Sequence, residues 1–281
     1  MKIGRTLLNG IERWFSVTMD GAYILNVEKQ YPWEFTDEQL GERIDLPDSY
    51  LPPLTHICSI RDFFSFEGHV RGARARRGLE VPKEWYKFPV FYFTNPNAIH
   101  GSGSEVTKPK HTSQMDFEAE FMIVIGKKGM DIPKHEAMDY VAGISLANDW
   151  SARDIQMEEI KVGLGPAKGK DFALSLGPLL LTGDDLHSHC HADQIDLDLE
   201  VSVNGKKVSS GNLNLAYWSF PDMIARASQD CFLYPGDIIM SGTIEKGCIL
   251  EIGSDVVPWL ERGDTVTLHS NSIGDLFNII G

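Results

Sequence analysis

The sequence predicts a mostly β protein with some α-helix, an α+β fold built on mixed or antiparallel sheets, and three observations carry that expectation. Residues 116–125 open with strict alternation: Asp116, Glu118 and Glu120 fall on one face, Phe117, Ala119 and Phe121 on the other. This is the two-residue period of a strand. Asn204-Gly205 stands between Leu197–Val203 and Lys206–Val208, and Asn-Gly accepts the positive φ angles of a type I′ hairpin turn. Asp237–Met240, Ile249–Ile252 and Thr265–His269 then fill the C-terminal half with further strand candidates.

Taken in order, residues 1–58 read as a small N-terminal domain and linker, and 59–281 as the main domain. Ile3–Glu12 and Phe15–Val27 supply short strands around a turn at Asp20-Gly21, while Pro32, Pro47, Pro52 and Pro53 make 31–53 a linker. Phe63–Arg77 is expected to be helical, closed by Gly78. Phe88–Phe93 is an apolar-aromatic strand, Pro133–Val141 a helix, Val141–Ala147 a buried strand, and Ser151–Ile160 a helix capped by its serine.

Composition bounds the function. The chain has 281 residues, 42% hydrophobic and 23% charged, which excludes a largely disordered protein. Its 26 basic against 40 acidic side chains leave a net charge of −14, arguing against nucleic acid or an anionic membrane as partner. No apolar run approaches the ~20 residues of a membrane-spanning helix, and no export signal is evident. Cys58, Cys190, Cys231 and Cys248 show no CxxC spacing and read as reduced thiols in a cytoplasmic protein.

Two motifs fail. Gly163–Lys170 lacks the glycine spacing and the Ser/Thr of a phosphate loop, and Lys168 occupies the third glycine position of a dinucleotide fingerprint. His187-Ser188-His189-Cys190-His191 has zinc-ligand residue types without a second cluster, and reads as a surface loop. Glu118 and Glu120 are more informative. At i and i+2 of a strand their carboxylates point the same way, within reach of one hard cation. Taken alone, that is also the pattern of a solvated strand face. The apolar Phe121–Ile125 directly behind it suggests a buried strand instead, where like charges do not both stay ionised without a cation. Asp149, where an apolar run gives way to a helix, and Asp62, seven residues before His69, complete the candidates.

Glu118-Ala119-Glu120-Phe121, followed some thirty residues later by the run from Asn148 to Gln156, resembles the fumarylacetoacetate hydrolase family. Asp62-Phe63-Phe64-Ser65…His69, Gly169-Lys170-Asp171-Phe172, Ser241-Gly242-Thr243-Ile244 and Gly247–Glu251 add to the resemblance, which covers roughly residues 60–281. It implies a mixed β-roll preceded by a small N-terminal domain, and a homodimer. It also implies that Asp62, Glu118, Glu120 and Asp149 hold one divalent cation, Mg²⁺ or else Mn²⁺ or Ca²⁺. His69 would be the general base, oriented by Glu251, with Lys170 facing the substrate. Gln156 and Thr243 match substrate-contacting positions. One arginine among Arg71, Arg74, Arg76 and Arg77, here taken as Arg76, would hold a distal carboxylate. Phe64 stands where fumarylacetoacetases carry a substrate-touching tyrosine, and Ile160 where another is expected. Phe88–Asn97 resembles the bacterial acylpyruvate-type branch.

The implied substrate is a small anionic 1,3-diketo acid such as an acylpyruvate, fumarylpyruvate or fumarylacetoacetate, cleaved at a carbon–carbon bond by water. The near alternatives are the 2-oxo-acid decarboxylases, isomerases and dehydratases of the same family. A catalytically silent metal-binding protein is the more distant one.

Overall fold

The alternating segment sits at the centre of the molecule. In the computed structural model, which describes residues 1–27, 31–76, 78–163 and 165–281, Ala119–Ile125 is a strand buried along its whole length. It pairs antiparallel with Val141–Asp149 on one side and with Ile238–Met240 on the other. Ile238–Met240 pairs parallel with Ile60–Phe63, and that strand pairs with Phe91–Phe93. Beyond Val141–Asp149 lies Leu174–Leu181, and the strands Lys2–Leu8, Ile11–Thr18, Gly21–Leu25 and Leu40–Ile44 continue the same eleven-stranded sheet. Two residue pairs, Lys2↔Leu181 and Ile3↔Leu180, make that junction.

Both faces of the central strand are covered, so its sequence is apolar past Glu120. Phe121, Ile123 and Ile125 pack with Leu199, Val201 and Leu268 of a second, five-stranded sheet. Met122 and Val124 pack with Ala147, Leu176 and Ile238 on the opposite face. The mixed sheets and few helices match the expected fold class. The hairpin also forms as read, with Asn204 at φ 51° and Gly205 at φ 74°.

Several boundaries differ for identifiable reasons. The strand read over 116–125 breaks at 117–118, because Met115–Asp116 pairs with Ser151–Ala152 instead. Phe63 ends a strand rather than starting a helix; the helix is Glu67–Ala75, and Arg77 lies outside the described residues. The Arg153–Ile160 helix begins two residues later than read and has no side-chain cap. Ser151 Oγ instead donates to the Asp149 carbonyl at 3.2 Å. Ile249–Ile252 is one helical turn and not a strand. Asp116 accepts from the backbone N–H of Ile249 and Leu250 at 2.7 and 3.0 Å, satisfying donors that a helix start leaves free. Lys134–Tyr140 is a 3₁₀ helix, and the presumed linker contains the strand Leu40–Ile44.

Candidate active site

Strand register gathers the acidic residues. Glu120 continues the face of Met122 and Val124, and opposes Ala147 across the ladder. Asp149, two residues beyond Ala147, falls on the same face. On the other side Asp62 sits in register with Met240, bringing it beside the same end of the sheet. There the chain turns at Gly242 (φ 77°), where an added Cβ would lie 2.3 Å from the Phe63 carbonyl oxygen. The turn lets Gly242 N–H donate to Glu120 Oε2 at 3.0 Å, while Thr243 Oγ1 donates to Oε1 at 3.3 Å. Trp150 Nε1 donates to Ser175 Oγ at 2.8 Å, fixing the residue after Asp149.

Two buried cations meet these acids. Lys170 Nζ donates to Asp149 Oδ2 at 2.8 Å and also to Glu118 Oε2. Arg153 spans Asp116 (Nε to Oδ2, 2.7 Å) and Glu118 (Nη2 to Oε1, 2.7 Å), with Nη1 on Gln156 Oε1 at 3.0 Å. Burial alone would raise Glu118, but Lys170 and Arg153 outweigh it and hold that carboxyl below the usual range. Burial also opposes the Lys170 charge, and Asp149 and Glu118 outweigh it, pushing Lys170 up. For Asp62 and Glu120 the pull of Lys170 is outweighed. Burial, followed by repulsion from Asp149 and Asp62 respectively, pushes both well above the ordinary carboxyl value. Burial raises Asp149 as well, against the pull of Lys170.

Five buried carboxylates thus face two permanent cations: Asp62, Asp116, Glu118, Glu120 and Asp149 against Lys170 and Arg153. Asp62 Oδ1 and Asp149 Oδ1 are buried without any hydrogen-bond partner. An unpaired buried carboxylate oxygen is strongly unfavourable. An all-oxygen donor set with spare negative charge suits a hard divalent cation. The Lys170 ammonium between Glu118 and Asp149 supplies part of the positive charge such an ion would bring.

His69 projects from the Glu67–Ala75 helix into the same cavity. Its Nδ1 lies 2.5 Å from Glu251 Oε2, so an ionised Glu251 accepts the Nδ1 proton and leaves Nε2 as the basic nitrogen. Gly72 makes this contact possible, since a Cβ there would sit 2.5 Å from Glu251 Oε1. Both residues are nearly buried, with side chains 6% and 3% exposed. Phe64 packs edge-on against the His69 ring, centroids 5.2 Å apart.

The cavity holds about 390 Å³, within the usual range for small-ligand sites. Asp62, Glu118, Glu120, His69, Lys170, Gln156, Thr243, Phe64 and Ile160 all line it, as do Gly165 and Pro166 of the Gly163–Lys170 loop, whose Leu164 lies outside the described residues. Arg76 does not: its guanidinium donates to the Glu251 carbonyl at 2.9 Å. Arg74, two residues earlier, does line the cavity, with its Nε donating to the Glu80 carbonyl at 2.6 Å. Sequence reasoning also missed Tyr92, whose hydroxyl donates to Asp149 Oδ2 at 2.5 Å, and the Arg153 bridge. The Asp62↔Tyr92 register, seen in the folded chain, brings in the first. Among the described residues, neither His187–His191 nor the acids Asp62, Glu118, Glu120 and Asp149 bring three metal-ligand atoms within 4.8 Å of one another; in the acid cluster Lys170 Nζ stands between Glu118 and Asp149.

A mixed-sheet fold carrying a buried acid cluster, a carboxylate-held histidine and a mid-sized cavity has the features of an enzyme site. Residues 58–280 match the family described as fumarylacetoacetate (FAA) hydrolase C-terminal, and the chain belongs to that family. Over 204 residues it is 35% identical to Oxaloacetate tautomerase FAHD2A, mitochondrial, of Homo sapiens, covering 72% of this chain and 60% of that protein. The chain therefore spans 60% of that relative's length. Among solved structures, 5-carboxymethyl-2-hydroxymuconate delta-isomerase from Mycobacterium smegmatis aligns with TM-score 0.74 and 26% identity, covering 100% of this chain and 98% of that one. Fumarylpyruvate hydrolase from Pseudomonas aeruginosa, in complex with Mn²⁺ and pyruvate, aligns with TM-score 0.66 and 23% identity, over 83% and 92% of the two chains. Hydrolases, isomerases and tautomerases thus share this fold. Among the described residues no helix is long and apolar enough to cross a membrane.

Proposed function

We propose that the protein is a divalent-cation-dependent hydrolase that cleaves a carbon–carbon bond in a 2,4-dioxo acid. The observation that carries this reading is His69, its Nδ1 2.5 Å from Glu251 Oε2, lining one cavity with Asp62, Glu118, Glu120 and Lys170. Asp62, Glu118, Glu120 and Asp149 would hold Mg²⁺, or Mn²⁺ or Ca²⁺, as their oxygen-only donors and the two unpaired oxygens suggest. When bound, such an ion supplies Lewis acidity and a template for the oxygens of a 2-oxo acid.

The chain's own groups do the rest. His69 Nε2 takes a proton from water while Glu251 holds the ring and balances the imidazolium charge. The resulting hydroxide adds to the distal carbonyl carbon. Collapse then breaks the carbon–carbon bond, its electron pair passing to the leaving enolate, which is protonated to the free 2-oxo acid. Lys170 faces the negative charge that develops, and Arg74 at the cavity wall offers a guanidinium to a distal carboxylate. Phe64 and Ile160 make the remaining wall apolar, favouring an acylpyruvate or fumarylpyruvate over fumarylacetoacetate.

A second reading, keto–enol tautomerisation or isomerisation of a 2-oxo acid, is favoured by the 35% identity to the tautomerase. The same histidine would then move a proton to or from carbon. The test offers acetylpyruvate, fumarylpyruvate, fumarylacetoacetate and oxaloacetate with Mg²⁺, Mn²⁺ or EDTA, and identifies products. Two carboxylic acids from a dioxo acid, lost with EDTA, support the hydrolase. Enol–keto exchange without cleavage moves the protein to the second reading.

A further inference from the structure

We propose that His69, Cys248 and Glu251 form a second metal site, selective for a thiophilic divalent cation such as Zn²⁺, whose occupancy switches the catalytic base off. Their ligand atoms all lie within 4.8 Å of one another. Cys248 Sγ is 3.7 Å from Glu251 Oε2, and His69 Nδ1 is 2.5 Å from the same oxygen. In a tetrahedral zinc site, with bonds of about 2.0–2.3 Å, neighbouring donors stand roughly 3.3–3.7 Å apart. The sulfur–oxygen spacing already fits, and the nitrogen–oxygen pair has to open by under about 1 Å. Nitrogen, sulfur and oxygen donors select a borderline-soft ion, whereas the oxygen-only cluster nearby suits Mg²⁺, Mn²⁺ or Ca²⁺.

Cys248 is fully buried and takes no part in the proposed hydrolysis. Burial, with Asp116 adding to it, pushes its thiol well above the usual range, so the protein holds a neutral thiol until a cation replaces the proton. Access is from the cavity, which His69 lines. On binding, the Cys248 thiol proton leaves to solvent and a zinc–sulfur bond forms. The imidazole proton shifts from Nδ1 to Nε2, so that Nδ1 and the Glu251 carboxylate can both face the ion. His69 then presents N–H rather than a lone pair to the cavity and cannot accept a proton from water.

The inhibitory half rests on the proposed function; the binding half does not. The test titrates ZnCl₂ into protein saturated with Mg²⁺, by calorimetry, with Co²⁺ absorbance as a direct report of thiolate ligation. The expected result is a Zn²⁺ site with a cobalt–thiolate band, weakened at least about 10-fold in Cys248→Ser and in Cys248→Ala. Zn²⁺ should inhibit turnover in the wild type, with its half-inhibiting concentration rising by the same factor in both variants. Equal Zn²⁺ affinity in wild type and variants, or a thiolate band that survives Cys248→Ser, overturns the site. A lost band with unchanged Zn²⁺ inhibition overturns the switch. Absence of any turnover on dioxo acids counts against the function alone, since the binding measurement still decides the site.

Discussion

Lys170→Met removes the ammonium that lies between two buried carboxylates and keeps the side-chain length. In the native chain Lys170 is 3% exposed and bonded to both Asp149 and Glu118. Without it, Glu118 retains Arg153 and Asp149 retains only the Tyr92 hydroxyl. Breaking a buried ion pair on one side costs about 3–5 kcal/mol, part of a stability of about 5–15 kcal/mol, so the variant should still fold. At about 2–4 °C per kcal/mol the melting temperature should drop on the order of 10 °C. Turnover should fall about 10²–10³-fold, because the group facing the developing enolate charge is gone. The extra uncompensated negative charge should also make Mg²⁺ raise the melting temperature of Lys170→Met more than that of the wild type. Differential scanning fluorimetry with and without Mg²⁺, alongside steady-state kinetics, reads all three effects. A variant that melts with the wild type and gains no more from Mg²⁺ would refute the charge balance drawn for this cluster.

Three other perturbations probe neighbouring parts of the site. Gly72→Ala puts a methyl 2.5 Å from Glu251 Oε1. It should lower kcat about 10²-fold by misplacing the orienting carboxylate, with little loss in melting temperature because alanine favours a helix. An unchanged kcat would show that the dyad tolerates displacement. Arg74→Ala should raise KM for a dicarboxylate substrate about 10–100-fold, the worth of one charge-assisted contact, and leave a monocarboxylate nearly unaffected; equal effects on both would exclude the distal-carboxylate role. The third is pH dependence. Burial and mutual repulsion raise Asp62 and Glu120, so above about pH 4 the metal-free folded chain keeps protons the unfolded chain has lost. These groups therefore stabilise the fold fully only below that pH. Their contribution declines as pH rises through the raised values, by at most about 1.4 kcal/mol per pH unit for each group. Divalent cations need the ionised forms, so their stabilising effect should grow over the same interval; a cation effect that is flat with pH contradicts this.

Much of the site was legible because strand periodicity is local. The i, i+2 spacing of Glu118 and Glu120 and the apolar run behind them already implied a buried acidic pair, and both line the cavity. What remained hidden depends on contacts between distant segments. Tyr92 reaches Asp149 through a strand register that no local pattern encodes. Arg74 lies in the last turn of the Glu67–Ala75 helix and Arg76 at its C-cap, and only the folded chain shows Arg74 at the cavity and Arg76 on the Glu251 carbonyl. That turn itself looked like a strand, since its apolar residues fit either structure and the Asp116 contacts that favour the helical start come from 133 residues away. His69 and Glu251, 182 residues apart, meet only in the folded chain.

The most direct test of the central claim is turnover of a dioxo acid in heavy-oxygen water with Mg²⁺, reading the products by mass spectrometry for wild type and His69→Ala. The account predicts one labelled oxygen in the carboxylic acid released from the distal acyl group, and loss of that product in His69→Ala with Mg²⁺ binding retained. Substrate consumed without cleavage, or cleavage products free of label, would contradict attack by His69-activated water.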